Sequence, residues 1–128
     1  MKGTLAPASE LRPPSALVGT FVPLHGPSEP GGEPRFLYIN VEGSGNFFLP
    51  AFTGRWTMLW RMIRFGLTFE DYRQIEDGVS FEGSLDRFYQ GRRVRIALDP
   101  HWEGDQVAFT EIARSAETLE DEIEAHAP

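Results

Sequence analysis

The stretch Asn46–Phe65, N-F-F-L-P-A-F-T-G-R-W-T-M-L-W-R-M-I-R-F, constrains the chain more than any other. Phe47, Phe48 and Leu49 form a short continuous apolar run bounded by Gly45 and Pro50, which suits a buried strand. Thr53 can accept backbone N–H groups left orphaned at a helix start, so it is the expected cap. Beyond it, Trp56, Leu59, Trp60 and Ile63 recur at i, i+3, i+4 and i+7, one face of a helix, with Thr57, Arg61 and Arg64 opposite. The spacing predicts that this face leans on the sheet. If Leu59 is core, its replacement by alanine costs about 2–5 kcal/mol.

Around this centre, 128 residues make one domain, and an apolar share of 41% supplies a core. No apolar run approaches the roughly 18 residues of a membrane span. The start of the chain lacks a basic-then-apolar signal pattern, and three prolines interrupt residues 5–14. With no cysteine there is neither a disulfide nor a thiolate metal site, and the expected compartment is the reducing cytoplasm. A net charge of −7 argues against a nucleic-acid partner. That charge is uneven: residues 53–98 hold eight arginines against six acids, whereas residues 99–128 hold nine acids and one arginine.

In chain order, residues 1–15 are rich in proline, alanine and serine and read as a disordered, dispensable lead-in. Residues 16–24 and 35–41 read as strands, separated by a Pro/Gly loop, and residues 46–52 form a third after the turn E-G-S-G. Gly66 is placed to end the central helix. Residues 68–77 fit either a short helix opened by T-F-E-D or an alternating strand, and the strand reading is preferred. Phe81, Leu85, Phe88 and Tyr89 then fit a second helix, capped by Ser80 and closed by Gly91. Val94, Ile96 and Leu98 alternate as a strand stopped by Asp99-Pro100, and residues 105–112 give the last strand. A third, acidic helix is expected over residues 115–125. The fold class is therefore α+β: a single mixed sheet of five to six strands, with two to three helices mainly on one face. The domain spans residues 16–114, between the lead-in and an acidic tail at 115–128.

Chemistry is sparse. Asp99, His101 and Glu103 alternate, so an extended segment would put them on one side where a cation could sit, but Pro100 works against it and no metal is expected. Neither a nucleophile elbow nor a phosphate-binding glycine motif occurs, and G-S-G at Gly43–Gly45 reads as a turn. No enzyme activity and no cofactor are expected. Trp102 is placed in a turn between two strands, where no core pattern requires it, and is a candidate for an exposed interface residue.

The string F-F-L-P-A-F-T at Phe47–Thr53, the helix with Leu59-Trp60, Leu98–Pro100 and V-A-F-T-E-I at Val107–Ile112 together resemble the N-terminal domain of the enhanced serine sensitivity (SseB) family over residues 16–112. The resemblance implies a fold more than a mechanism, and carries over no catalytic residues; the absence of catalytic motifs, an exposed Trp102 and the uneven charge point to a protein partner. The expected function is a non-enzymatic interaction module with a protein partner. The alternative is a small-molecule or anion-binding domain, or an enzyme whose site no motif marks. A deep, partly polar cavity would favour the ligand, and a shallow apolar patch the partner.

The binding surface is expected where strand ends gather. Strand–helix–strand units run parallel, so the strands ending at Phe52 and Leu98 should finish at one edge. That edge gathers Phe52, Thr53, Gly54, Arg55, Asp99, Pro100, His101 and Trp102. Free N–H groups at the helix start and Arg55 favour an anion or a carboxylate-bearing peptide there, with Asp99 opposing it.

Overall fold

A computed structural model describes residues 3–26, 35–41, 46–77, 81, 85, 88–89 and 92–114. The chain enters through two short strands, β1 (Thr4–Leu5) and β2 (Leu11–Arg12), then a 3₁₀ turn at Pro14–Leu17 and β3 (Phe21–His25). Next come β4 (Arg35–Phe36), β5 (Ile39–Val41), β6 (Asn46–Ala51) and the helix α1 (Arg55–Phe65). After α1 follow β7 (Asp71–Gln74), β8 (Phe88–Tyr89), β9 (Arg92–Arg93), β10 (Arg95–Glu103) and β11 (Gln106–Ile112). Among the described residues no helix is long and apolar enough to cross a membrane.

The apolar run of β6 lies inside a six-stranded sheet of order β1-β11-β10-β6-β5, with β2 also on β11. β10 runs parallel to β6, matching Arg95 to Phe48 and Leu98 to Ala51, while β5 pairs antiparallel and reaches only as far as Phe48. Pro50 thus falls beyond the β5 ladder, where a missing N–H is more easily tolerated. Alternate residues of β6 serve opposite faces, as the strand period requires. Phe48 joins the core beneath α1, with Ala97, Val107 and Phe109; Leu49 and Ala51 join the other core, with Leu17, Val22, Ile75, Ile96 and Ile112. Burial on both faces explains why this strand reads as continuously apolar rather than alternating.

The second sheet, β4-β3-β7, is antiparallel throughout. A two-way backbone bridge ties it to the first: Phe21 N–H donates to the Phe52 carbonyl at 2.8 Å and Phe52 N–H to the Phe21 carbonyl at 2.9 Å. The run R-F-L-Y-I-N-V serves both sheets, Arg35–Phe36 in one and Ile39–Val41 in the other. Strands that change sheet in this way make the corners of a packed two-sheet fold.

These features correct the α+β expectation. The protein is mostly β, with two principal sheets and a two-stranded ribbon, and one α-helix among the described residues. Three misreadings account for the difference. Phe88 and Tyr89 fit helical spacing after Phe81 and Leu85, yet they form β8, antiparallel to Arg92–Arg93. Phe81 is helical, its N–H donating to the Asp77 carbonyl at 3.1 Å, and Phe81 and Leu85 are both buried. Most of that proposed second helix, and all of the acidic helix at 115–125, lie outside the described residues. The strand reading of residues 68–77 holds for Asp71–Gln74, but β7 pairs with β3 in the second sheet instead of extending the first. Nor does Asp99-Pro100 stop its strand; β10 bends there and continues to Glu103.

The beginning of the chain differs most from its expected disorder. Residues 3–12 run along the outer edge of β11, with β1 and β2 both parallel to it. N–H groups of Thr4, Ala6 and Ser9 donate to carbonyls of Asp105, Val107 and Phe109, and those of Glu111 and Ala113 to Glu10 and Arg12, at 2.8 to 3.1 Å. An edge strand held by backbone groups needs no apolar periodicity, so composition could not announce it. Deleting residues 1–12 is expected to cost roughly 1–2 kcal/mol, lowering the thermal midpoint by about 5–10 °C. A midpoint equal to the parent's would show the segment to be dispensable after all.

Candidate functional site

The parallel pairing of β6 with β10 sets the end of β6 beside the bend of β10, and the gathered edge forms at that bend. Its chemistry differs from the expected one. Asp99 adopts a left-handed backbone, φ 49°, at an irregularity where the β10–β11 register shifts between Leu98 and His101. Its carboxylate thereby reaches the start of α1: Thr53 N–H donates to Oδ1 at 2.9 Å and Thr53 Oγ1 donates to Oδ2 at 2.9 Å. The helix N-cap is Gly54 rather than Thr53, and it makes no side-chain cap bond. An internal carboxylate thus sits beside the helix start, where an anionic guest was expected.

The remaining edge residues have separate duties. Phe52 is fully buried in the core and Pro100 is buried. Arg55 donates to the Tyr72 hydroxyl at 3.2 Å, a bond that pushes the pKa of its guanidinium up. His101 Nδ1 lies 3.0 Å from the Asp99 carbonyl. Trp102 is not in a turn: it belongs to β10 and is half-buried, its ring edge-on to Phe65 at 5.7 Å. Its indole N–H donates to the Arg64 carbonyl at 3.2 Å, and a side chain at Gly3 would meet its ring at 2.8 Å. It is packed between the first residues of the chain and the end of α1. Asp99, His101 and Glu103 share a strand, but both Asp99 oxygens are engaged by Thr53, and no three-residue metal cluster occurs among the described residues.

Helix α1 holds the largest departure from expectation. Met58, Met62 and Phe65 face the core, whereas Trp56, Trp60 and Ile63 are 69%, 65% and 67% exposed, with Leu59 half-buried beside them. Met58, Met62 and Phe65 also recur at i, i+4 and i+7, so the helix carries two apolar faces and spacing alone does not rank them. Packing does. Under α1, the rings of Phe48 and Phe109 stack at 6.2 Å, and Ala97 lies on the strand between theirs. Unbranched methionines fit such an uneven floor, where indoles would collide. Thr53–Asp99 at one end and Arg64–Trp102 at the other fix the rotation. Gly66, at φ 70°, closes the helix as expected, its N–H donating to the Ile63 carbonyl at 2.9 Å.

Two sites emerge that the sequence did not disclose. One is the outer face of α1 itself. The other is a cleft of about 310 Å³ between the C-terminal half of α1 and β10, lined by Arg61, Arg64, Phe65, His101 and Trp102. Arg61 Nη1 is enclosed and has no hydrogen-bond partner among the described residues. The i, i+3 spacing of Arg61 and Arg64 was visible, but their approach to His101 depends on where β10 passes beneath the helix. A second hollow of about 320 Å³ lies between residues 37–40 and 66–68, with His25 at its margin.

Compared with family models, curated proteins and solved structures, the chain matches none of them.

Proposed function

We propose that the protein is a non-enzymatic, SseB-like interaction module, and that it works in the cytoplasm. Its docking surface is the outer face of α1. One observation carries this reading: Trp56, Trp60 and Ile63 are each about two-thirds exposed on one helix face, although the opposite face already fills the core. Contiguous exposed aromatic and aliphatic side chains are costly to leave in water, and tryptophan dominates binding hot spots. The partner's chemistry follows from charge. Arg55, Arg61 and Arg64 are the only charged residues of α1. The occupant is therefore a polypeptide helix with an apolar face bordered by carboxylates, laid into the stripe through i, i+3 and i+4 anchors.

The test is a titration of the full chain with an acidic amphipathic helical peptide bearing leucines on one face, followed by tryptophan fluorescence. A saturable blue shift is expected, with affinity lowered at least tenfold by Trp60→Ala, as for a hot-spot residue. If a peptide with serines in place of the leucines binds equally well, or no saturable shift develops, the docking surface is not this face.

A further inference from the structure

We infer that the cleft between α1 and β10 is an oxyanion site, taking the phosphate or carboxylate group of a small ligand on Arg61 and Arg64. The site shares Arg61 and Arg64 with the border of the docking face but lies on the β10 side of them and rests on different observations.

Arg61 is only partly exposed, and its Nη1 is closed off from solvent with no acceptor among the described residues. A buried donor on a charged group without a partner is costly, and structures seldom keep one without a use. Arg64, one turn further along, brings a second guanidinium to the same cleft. Neither arginine side chain is in an ion pair or hydrogen bond with any carboxylate among the described residues. Two unneutralised guanidiniums on adjacent turns favour a guest with several acceptor oxygens, since planar forks match carboxylate and phosphate geometry.

The cleft supplies more than charge. Phe65 and Trp102 are its apolar walls. Trp102 also fixes the donors in place, because its bond to the Arg64 carbonyl ties that turn of α1 to β10. His101 occupies the remaining side. The Asp99 carbonyl can only accept, so Nδ1 carries the proton directed to it, and Nε2 is the nitrogen left over. That nitrogen lies 3.9 Å from Glu103, whose side chain is 73% exposed. Glu103 is thus an opposing charge beside His101, and its exposure lets it move aside at small cost. A volume of about 310 Å³ exceeds what a bare ion needs and falls at the lower end of small-ligand pockets. The fitting guest is an oxyanion carried on a small organic body.

The experiment is a side-chain NMR titration of the full chain with inorganic phosphate, with sodium acetate, and with sodium chloride at matched ionic strength. Phosphate or acetate should move the Trp102 indole and His101 ring signals along a saturating curve that chloride does not reproduce. Preference for phosphate would assign the site to phosphate monoesters, and preference for acetate to carboxylates. Arg61→Gln and Arg64→Gln should each weaken binding at least tenfold. Arg64 is exposed, so its variant keeps the fold even if Arg61→Gln does not. Shifts that are absent, linear in concentration, or matched by chloride overturn the inference. Trp60→Ala should leave this titration unchanged, so failure here and failure of the docking surface are read separately.

Discussion

Met62→Ala is expected to destabilise the protein by about 2–5 kcal/mol, whereas Trp60→Ala should change stability by no more than about 0.5 kcal/mol. The two residues lie two positions apart on one helix, and hydrophobicity alone would give the larger loss to tryptophan. The order is reversed because Met62 is fully buried over Phe48 and Ala97, while Trp60 is 65% exposed. Removing Met62 leaves a cavity in a core whose neighbours are fixed by two sheets, so little collapse can refill it. Removing Trp60 mainly takes apolar surface away from water. Paired denaturant titrations decide the matter. A larger loss for Trp60→Ala would mean that α1 is rotated and that the outer face is not available to a partner.

The second large effect is expected at Trp102. Trp102→Ala should cost about 2–4 kcal/mol, less than a fully enclosed aromatic because the ring is only half-buried. The loss combines the edge-on contact with Phe65, the bond to the Arg64 carbonyl and the packing against Gly3. Trp102→Phe separates these contributions: it keeps most of the ring and removes the N–H donor, so about 1 kcal/mol should be lost. A melting midpoint unaffected by alanine would restore Trp102 to the role of a free surface residue.

The parts of this molecule written in the sequence are those decided locally. Phe47–Leu49 reads as a buried strand because both faces of β6 are covered, and Gly66 reads as a helix end because the left-handed backbone suits it. The meeting of Thr53 with Asp99 was also within reach, through the rule that crossovers make parallel strands. That rule holds here without help from β7, which belongs to the other sheet and forms no link between β6 and β10. What stayed hidden depends on contacts distant in the chain. Two apolar sets compete on α1, and only Ala97 and the rings beside it decide between them. The cleft needs Arg61, Arg64 and His101 from two elements whose crossing no spacing encodes. Phe88 and Tyr89 satisfied a helical period by coincidence, and pairing with Arg92–Arg93 overrode it.

Closure of the β11 edge by the first residues of the chain governs how the molecule meets others. An exposed strand edge is an open seat for any passing extended segment. Here the seat is taken by a segment tethered to the same molecule through Pro13 and Pro14, and tethering gives it a local concentration on the order of millimolar. A competing strand from another chain, present at far lower concentration, must match those backbone bonds and then outbid proximity. Self-association through this edge is therefore suppressed by connectivity, with the exposed Glu10 and Arg12 adding charge to it.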